Sequence, residues 1–231
     1  KTTIKHILSG LQETNYPVSY NELKDISKEY YKLVNGKEQE KKYINPRDFI
    51  GPSSISLELK HIQKDDNTSN IPNINRNFCI TDKADGLRKL MYISNSGKIY
   101  LINTMVEFQF TGLINKNKDL NNSLIDGEHI LYDKQHNFIN KYAAFDIYFL
   151  DNEDKRSLSF LYNGGDITEP SLYRLNLLHS FIIELNKNIN NVVVDTKKLN
   201  IVKKSFYLPS SGSDIFKECK KLLQHVDNLY E

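Results

Sequence analysis

Lys83-Ala84-Asp85-Gly86-Leu87-Arg88 brings together an amine, a carboxylate, a glycine and a guanidinium within six residues. Such a set can present a nucleophilic nitrogen to a phosphate, turn the backbone sharply and clamp the phosphate or its ribose. An amine attacks phosphorus only when unprotonated. Lys83 therefore needs its pKa lowered from about 10.4, through desolvation or a nearby cation such as Arg88 or a metal ion. Gly86 would allow close approach of a ligand or a positive φ. A charged surface turn is the plain alternative, but usual residue frequencies put a chance K-x-D-G-x-R in a chain this long at odds on the order of a few in a thousand.

Two other clusters carry chemistry. Leu124-Ile125-Asp126-Gly127-Glu128 places two carboxylates at the end of an apolar strand. With a period of two they share one face, where they could accept ribose hydroxyls or a metal-bound water. In Tyr142-Ala143-Ala144-Phe145-Asp146-Ile147-Tyr148 the small alanines leave room beside Phe145 for a flat ring. The six histidines show no metal-ligand spacing with one another or with the cysteines. Ser210-Ser211-Gly212-Ser213 lacks the lysine of a P-loop, and there is no G-x-G-x-x-G. Lys197-Lys198, Lys203-Lys204 and Lys220-Lys221 could guide an RNA backbone, although paired lysines usually mark a solvated face.

The elements that must hold these residues alternate between strand and helix patterns. Phe78 to Thr81 and Leu90 to Ile93 read as strands on either side of the hexapeptide, so Lys83 is expected where a buried strand opens into a pocket. Further strands are expected over Ile55–Leu59, Lys98–Ile102, Met105–Phe110, Leu124–Tyr132, Tyr142–Leu150, Val192–Val194 and Leu199–Phe206. Short turns between most of them favour antiparallel pairing. Ser19-Tyr20-Asn21-Glu22 has capping-box spacing and opens a helix to about Val34. Thr168-Glu169-Pro170 opens another, with Leu175, Leu178, Ile182 and Leu185 on one side. Ser213 caps a last helix running to about Val226, with Phe216, Cys219 and Leu223 on its apolar face. Residues 37–47 read as a charged linker and 63–77 as a long loop. The fold class is α+β: antiparallel sheet with flanking helices, divided into a helical lead-in or end of a preceding domain over 1–44 and a main domain over 45–231.

With 231 residues the chain can bury one full core. Thirty-one basic against 29 acidic residues give a net charge of +2, so a polyanion would have to be gripped locally. Cys79 and Cys219, both in apolar contexts, read as reduced thiols in a cytosolic compartment. No apolar run has membrane-spanning length, and no signal peptide opens the sequence. The sequence opens on Lys1 instead of methionine, as expected of a fragment or of a processed chain.

In that order, Lys83-Ala84-Asp85-Gly86-Leu87-Arg88, Ile125-Asp126-Gly127-Glu128 and Phe145-Asp146 resemble the covalent nucleotidyltransferase superfamily of mRNA capping enzymes and ATP-dependent polynucleotide ligases. Phe49 to Leu57 is similar to the lead-in of viral capping enzymes. The resemblance implies an ATP-grasp-like nucleotidyltransferase domain in which Lys83 attacks a nucleotide α-phosphate and expels pyrophosphate. Arg88 and Glu128 would bind ribose and phosphate, and Phe145 would stack on the base. Thr81 stands where ligases usually place the glutamate that contacts adenine. Asp82 is more like the acidic residue before the lysine of capping guanylyltransferases. Both are therefore read as nucleotide-binding, with GTP favoured over ATP. The implied cofactor is Mg²⁺ or Mn²⁺, for which Glu128 acting through water is the candidate ligand.

By the same resemblance the partners are GTP and a diphosphate-ended RNA, with an RNA triphosphatase and a cap methyltransferase fused or associated. Neither of those activities has a motif in this stretch. The asparagine-, lysine- and isoleucine-rich usage fits a large DNA virus, and hence a cytoplasmic site of action in a virion or viral factory. No arginine stands in Ile102-Asn103-Thr104-Met105-Val106, where the family usually has one. The acidic-Gly-apolar strand and closing K-x-K of the family are not found after Leu150, and no sequence remains for its C-terminal OB-fold. An ATP-dependent ligase and a non-catalytic scaffold are the alternative readings.

Overall fold

The computed structural model describes residues 2–38, 45–63, 71–75, 78–161, 172–192, 197–208 and 215–224. Its centre is a sheet of eight strands among the described residues: β1 (Leu87–Ile93), β2 (Lys98–Ile102), β3 (Phe108–Asn115), β4 (Ser123–Tyr132), β5 (Phe138–Leu150), β6 (Glu153–Asp154), β7 (Ile189–Asn191) and β8 (Asn200–Lys203). Their order is β6-β5-β4-β1-β2-β3-β7, all antiparallel, while β8 runs parallel to Lys141–Ala144 of β5. Three register shifts between β4 and β5 bend the longest hairpin.

Alternation along the strands sends side chains to two apolar layers. Leu90, Tyr92, Tyr100, Ile102, Phe110, Leu124 and Tyr148 face helix α2 (Tyr20–Asn35), which inserts Ile26 and Tyr30. Met91, Ile93, Ile99, Leu101, Leu113, Ile125, Tyr142 and Ile147 face helix α4 (Arg174–Asn188), which supplies Leu178, Phe181, Ile182 and Leu185. Helix α2 has the expected cap: the Ser19 hydroxyl accepts from the Glu22 amide, and Gly36 ends the helix with φ +67. It also locks onto the sheet, since Glu22 receives Lys98 Nζ and the Tyr100 hydroxyl, each at 2.6 Å. The architecture is α+β, as the sequence indicates.

Several local expectations need correction. Ile55–Leu59 forms no strand: Leu59–Ile62 is the short helix α3, stabilised by the Glu58 amide donating to His61 Nδ1, and Ile55, Leu57 and Leu59 are exposed. The third strand begins at Phe108 instead of Met105, because the Asn103 side chain accepts the amides of Met105 and Glu107 and folds that segment into a turn with Val106 at φ 61. Phe78–Thr81 makes a single bridge, Ile80 to Tyr207, and no strand. Thr2–Leu11 is a helix, α1, that the sequence reading did not anticipate. Helix α4 starts at Arg174; Thr168–Pro170, Val193–Val194 and Ser213 lie outside the described residues. Helix α5 (Ile215–Leu223) buries Glu218 and Leu222, and it turns Phe216 and Leu223 outward, opposite to the expected face.

Gly127 shows how tightly β4 is seated. A Cβ there would lie 2.5 Å from the Tyr142 ring, whose hydroxyl donates to the carbonyls of Lys89 and Ile125. Gly127→Ala should therefore destabilise the chain by about 1–3 kcal/mol. In thermal unfolding that is a fall of roughly 2–4 °C per kcal/mol; an unchanged midpoint would show that the ring moves aside freely.

Candidate active site

Arg88 lies on β1 directly opposite Glu128 on β4, and Leu90 lies opposite Asp126. From that register Arg88 makes a two-pronged ion pair with Asp126, Nη2 to Oδ2 at 2.5 Å and Nε to Oδ1 at 3.2 Å. The Tyr148 hydroxyl donates to the same carboxylate at 2.6 Å. Asp126 is fully buried; burial pushes its carboxyl up, against the pull of Arg88 and Tyr148. The Arg88 guanidinium, held charged by this carboxylate, also donates from Nη1 to the Pro52 carbonyl at 2.6 Å. It sits 5.6 Å from the Phe49 ring centroid and 5.9 Å from that of Phe145. Gly51 fits only because it has no side chain, since a Cβ would collide with Arg88 and Phe49.

The two carboxylates of the Asp-Gly-Glu cluster thus have different fates. Asp126 is consumed by Arg88 and Tyr148. Glu128 remains half-buried, its carboxyl pushed up by desolvation while Lys204 and Lys83 draw it down. Gly86 has no positive φ and leaves its space to β4: an added Cβ would meet Glu128 Cγ and the His129 carbonyl, each at 2.8 Å.

Phe145 forms one wall of an open pocket of about 320 Å³ with Thr81, Asp146, Phe160, Lys204 and Phe206. Phe160 and Phe206 meet edge to face at 5.3 Å. Asp146 is held by Arg174, Nε to Oδ1 at 2.9 Å and Nη2 to Oδ2 at 3.2 Å, and Arg174 also lies 5.6 Å from the Phe160 ring centroid. The Thr81 hydroxyl donates to the Ser205 carbonyl at 2.7 Å. Lys204 is the residue that the sequence reading passed over as half of a basic pair. Its amide donates to the Ala144 carbonyl at 2.7 Å, which extends the β8–β5 ladder, and its ammonium lies 5.9 Å from the Phe145 centroid. Burial lowers the Lys204 pKa, with the charges of Asp82 and Glu128 opposing and that of Lys83 adding to the fall.

Lys83 differs from expectation. Its side chain is 91% exposed, with Asp85 as an ionic partner at 3.5 Å. The neighbours on either side turn inward instead: Asp82 is buried, and Ala84 packs with Ile130 and Ala143. Lys83 lines a second pocket of about 360 Å³ with Asp85, Gly86, Leu87, His129, Leu131 and Tyr132. The fold thus brings Thr81, Asp82, Glu128 and Phe145 to Lys204 and Arg88 to Phe145, and leaves the Lys83 side chain exposed.

The family described as mRNA capping enzyme, catalytic domain, matches residues 13–229. This chain belongs to that family. It is also similar to the probable mRNA-capping enzyme of Acanthamoeba polyphaga mimivirus, 30% identical over 156 residues; that stretch is 68% of this chain and 12% of the viral protein. The chain spans only a small part of the relative it matches. The capping-enzyme match includes helix α2, which is packed on the sheet that carries Arg88 and Glu128.

Among the described residues no group of three histidine, cysteine, aspartate or glutamate side chains could enclose a metal ion. A Mg²⁺ shared with substrate phosphates needs only one or two carboxylates, and the half-buried Glu128 suits that role. No helix of the described residues is long and apolar enough to cross a membrane.

His129, at the edge of the Lys83 pocket, is buried and its pKa is pushed down to about 4 by desolvation. Asn140 donates through Nδ2 to the Lys197 carbonyl, so its Oδ1 must accept from His129 Nε2 at 3.0 Å. Nδ1 is left as an unprotonated acceptor without a protein partner. Because the folded pKa lies below the unfolded value of about 6.5, this ring's contribution to stability is complete above that pH and is lost as pH falls toward 4. A His129→Gln chain should lose less stability than the native chain between pH 6.5 and 4, by up to about 3 kcal/mol. Parallel pH dependences in thermal melts would contradict the assignment.

Proposed function

We propose that this chain is the GMP-accepting part of an mRNA guanylyltransferase, in which the Lys83 amine displaces pyrophosphate from GTP and then yields the GMP to a diphosphate-ended RNA. In the first step a P–N bond forms as the bond to the pyrophosphate oxygen breaks. In the second a terminal phosphate oxygen of the RNA replaces the lysine nitrogen. Arg88, already oriented by Asp126, would bind ribose or phosphate from the side facing Phe145, and Glu128 would meet the ribose or a metal-bound water. Mg²⁺ or Mn²⁺, when bound, offsets negative charge on the triphosphate and the leaving pyrophosphate. Lys83 reaches the phosphate by rotation of its flexible four-carbon stem, which its exposed position leaves free.

The observation that carries the choice of base is the ammonium of Lys204 beside the Phe145 ring. A nucleobase lying against Phe145, Phe160 and Phe206 meets a donor there. Guanine offers the O6 acceptor at that edge, whereas adenine offers an amino donor. Thr81 and Asp82 complete this end of the site. We further read residues 45–231 as the ATP-grasp-like nucleotidyltransferase unit, with 1–44 as a helical lead-in docked on it through α2. Its working context would be a longer capping protein, with RNA triphosphatase and cap methyltransferase fused or associated, acting in the cytoplasm of an infected cell in a virion or viral factory.

Incubating the full-length protein with α-labelled GTP and a divalent cation should give an alkali-stable adduct that Lys83→Ala abolishes without lowering the melting temperature. Label retained by the variant, or taken only from ATP, would refute the reading. Lys204→Met preserves the length of the stem and removes the donor. It should raise the KM for GTP by about 10-fold or more while narrowing the preference for GTP over ATP; steady-state labelling with both nucleotides checks this, and an unaltered preference would remove Lys204 from base recognition.

A further inference from the structure

The β4–β5 hairpin carries two aromatic rings that the fold does not use. Tyr132 is 55% exposed and Phe138 43% exposed, and their centroids lie 5.7 Å apart at 64°. Neither belongs to the buried layers of the sheet. Tyr132 also forms the outer wall of the pocket that holds Lys83. Beside them, the exposed Lys197 donates to the Phe138 carbonyl, which fixes an ammonium at the foot of that ring, and the exposed Lys198 follows in sequence.

We propose that Tyr132, Phe138, Lys197 and Lys198 form the surface on which the single-stranded 5′ end of the acceptor RNA rests. This inference depends on the guanylyltransferase reading, which supplies the RNA acceptor. Exposed rings interleaved with cations are what an unpaired strand requires: any base can stack on an aromatic face, and lysines track the phosphates. The surface is continuous with the pocket of the residue that must surrender its GMP, so an RNA lying on it delivers its terminus to the reaction. Among the described residues the carboxylates of Asp85 and Asp133 nearby are engaged, and Glu13 lines a pocket with Phe138 and Lys197. Asp85 pairs with Lys83, and Asp133 accepts the amides of Gln135 and Asn137 and the Asn137 side-chain NH₂.

The test compares the full-length protein with a Tyr132→Leu/Phe138→Leu variant, which keeps apolar bulk but loses the ring faces, and with a Lys197→Gln/Lys198→Gln variant. Binding of a fluorescent, diphosphate-ended oligoribonucleotide is followed by anisotropy across a salt series, and lysyl-GMP formation is measured separately. The leucine variant should weaken RNA binding by about 10-fold. The glutamine variant should reduce the slope of log affinity against log salt by about 1. Adduct formation from GTP should match the native protein in the glutamine variant. Unchanged RNA affinity and salt slope would overturn the proposal, and so would a parallel loss of adduct formation in the leucine variant, because the hairpin would then be supporting the nucleotide site. A native protein that takes no label from GTP would sink the parent reading alone, since the RNA-binding comparison still decides the surface.

Discussion

Everything proposed for the site depends on one buried ion pair. Asp126 has no exposed surface, so the Arg88 guanidinium must stay on it; removing one partner of such a pair typically costs about 3–5 kcal/mol. The Tyr148 hydroxyl donates a third hydrogen bond to the carboxylate, and the Phe49-Gly51-Pro52 segment closes over the other side of the guanidinium. Three parts of the chain that are far apart in sequence are thereby fixed to one charged group: the lead-in, the strand that follows Lys83 and the β4–β5 hairpin. The partly exposed edge of Arg88 is left facing Phe145 and, across the register, Glu128.

A second pair repeats the device at the other end of the pocket. Arg174, the first residue of α4, holds Asp146 and lies against Phe160. The helix that covers one face of the sheet is thus tied by its first residue to Asp146, the neighbour of the ring expected to carry the base, and to Phe160. Between the two pairs, Lys204 is positioned by a backbone bond in the β8–β5 ladder, and its ammonium stands among groups whose own positions are set by the sheet. Lys83 lies off the sheet with an exposed side chain paired to Asp85, which suits a residue that must first bond to a phosphorus and later release it.

Much of this was legible in the sequence where chemistry and periodicity coincide. Arg88, Glu128 and Phe145 could be placed on strands because the alternation there is clear, and α2 because its cap is written in Ser19 and Glu22. What escaped depends on tertiary context. Arg174 and Lys204 carry no motif; their places beside the pocket come from a helix start and the end of a parallel strand, which meet only in the folded chain. The strand expected at Met105 was lost to the side chain of Asn103, and at Ile55 the alternating apolar residues stay exposed while Leu59 opens a short helix instead. Asp126 and Glu128 share a face as expected, yet the register gives one of them to Arg88 and leaves the other free, a division that spacing cannot reveal.

The most direct test of the central ion pair is a double-mutant cycle between Arg88→Lys and Asp126→Asn, read as the rate of lysyl-nucleotide formation from GTP. If Asp126 acts by orienting Arg88, the double variant should be no slower than the worse single variant, since the second change removes nothing that remains. Losses that multiply across the two substitutions would contradict the account, because each residue would then be contributing to the reaction on its own.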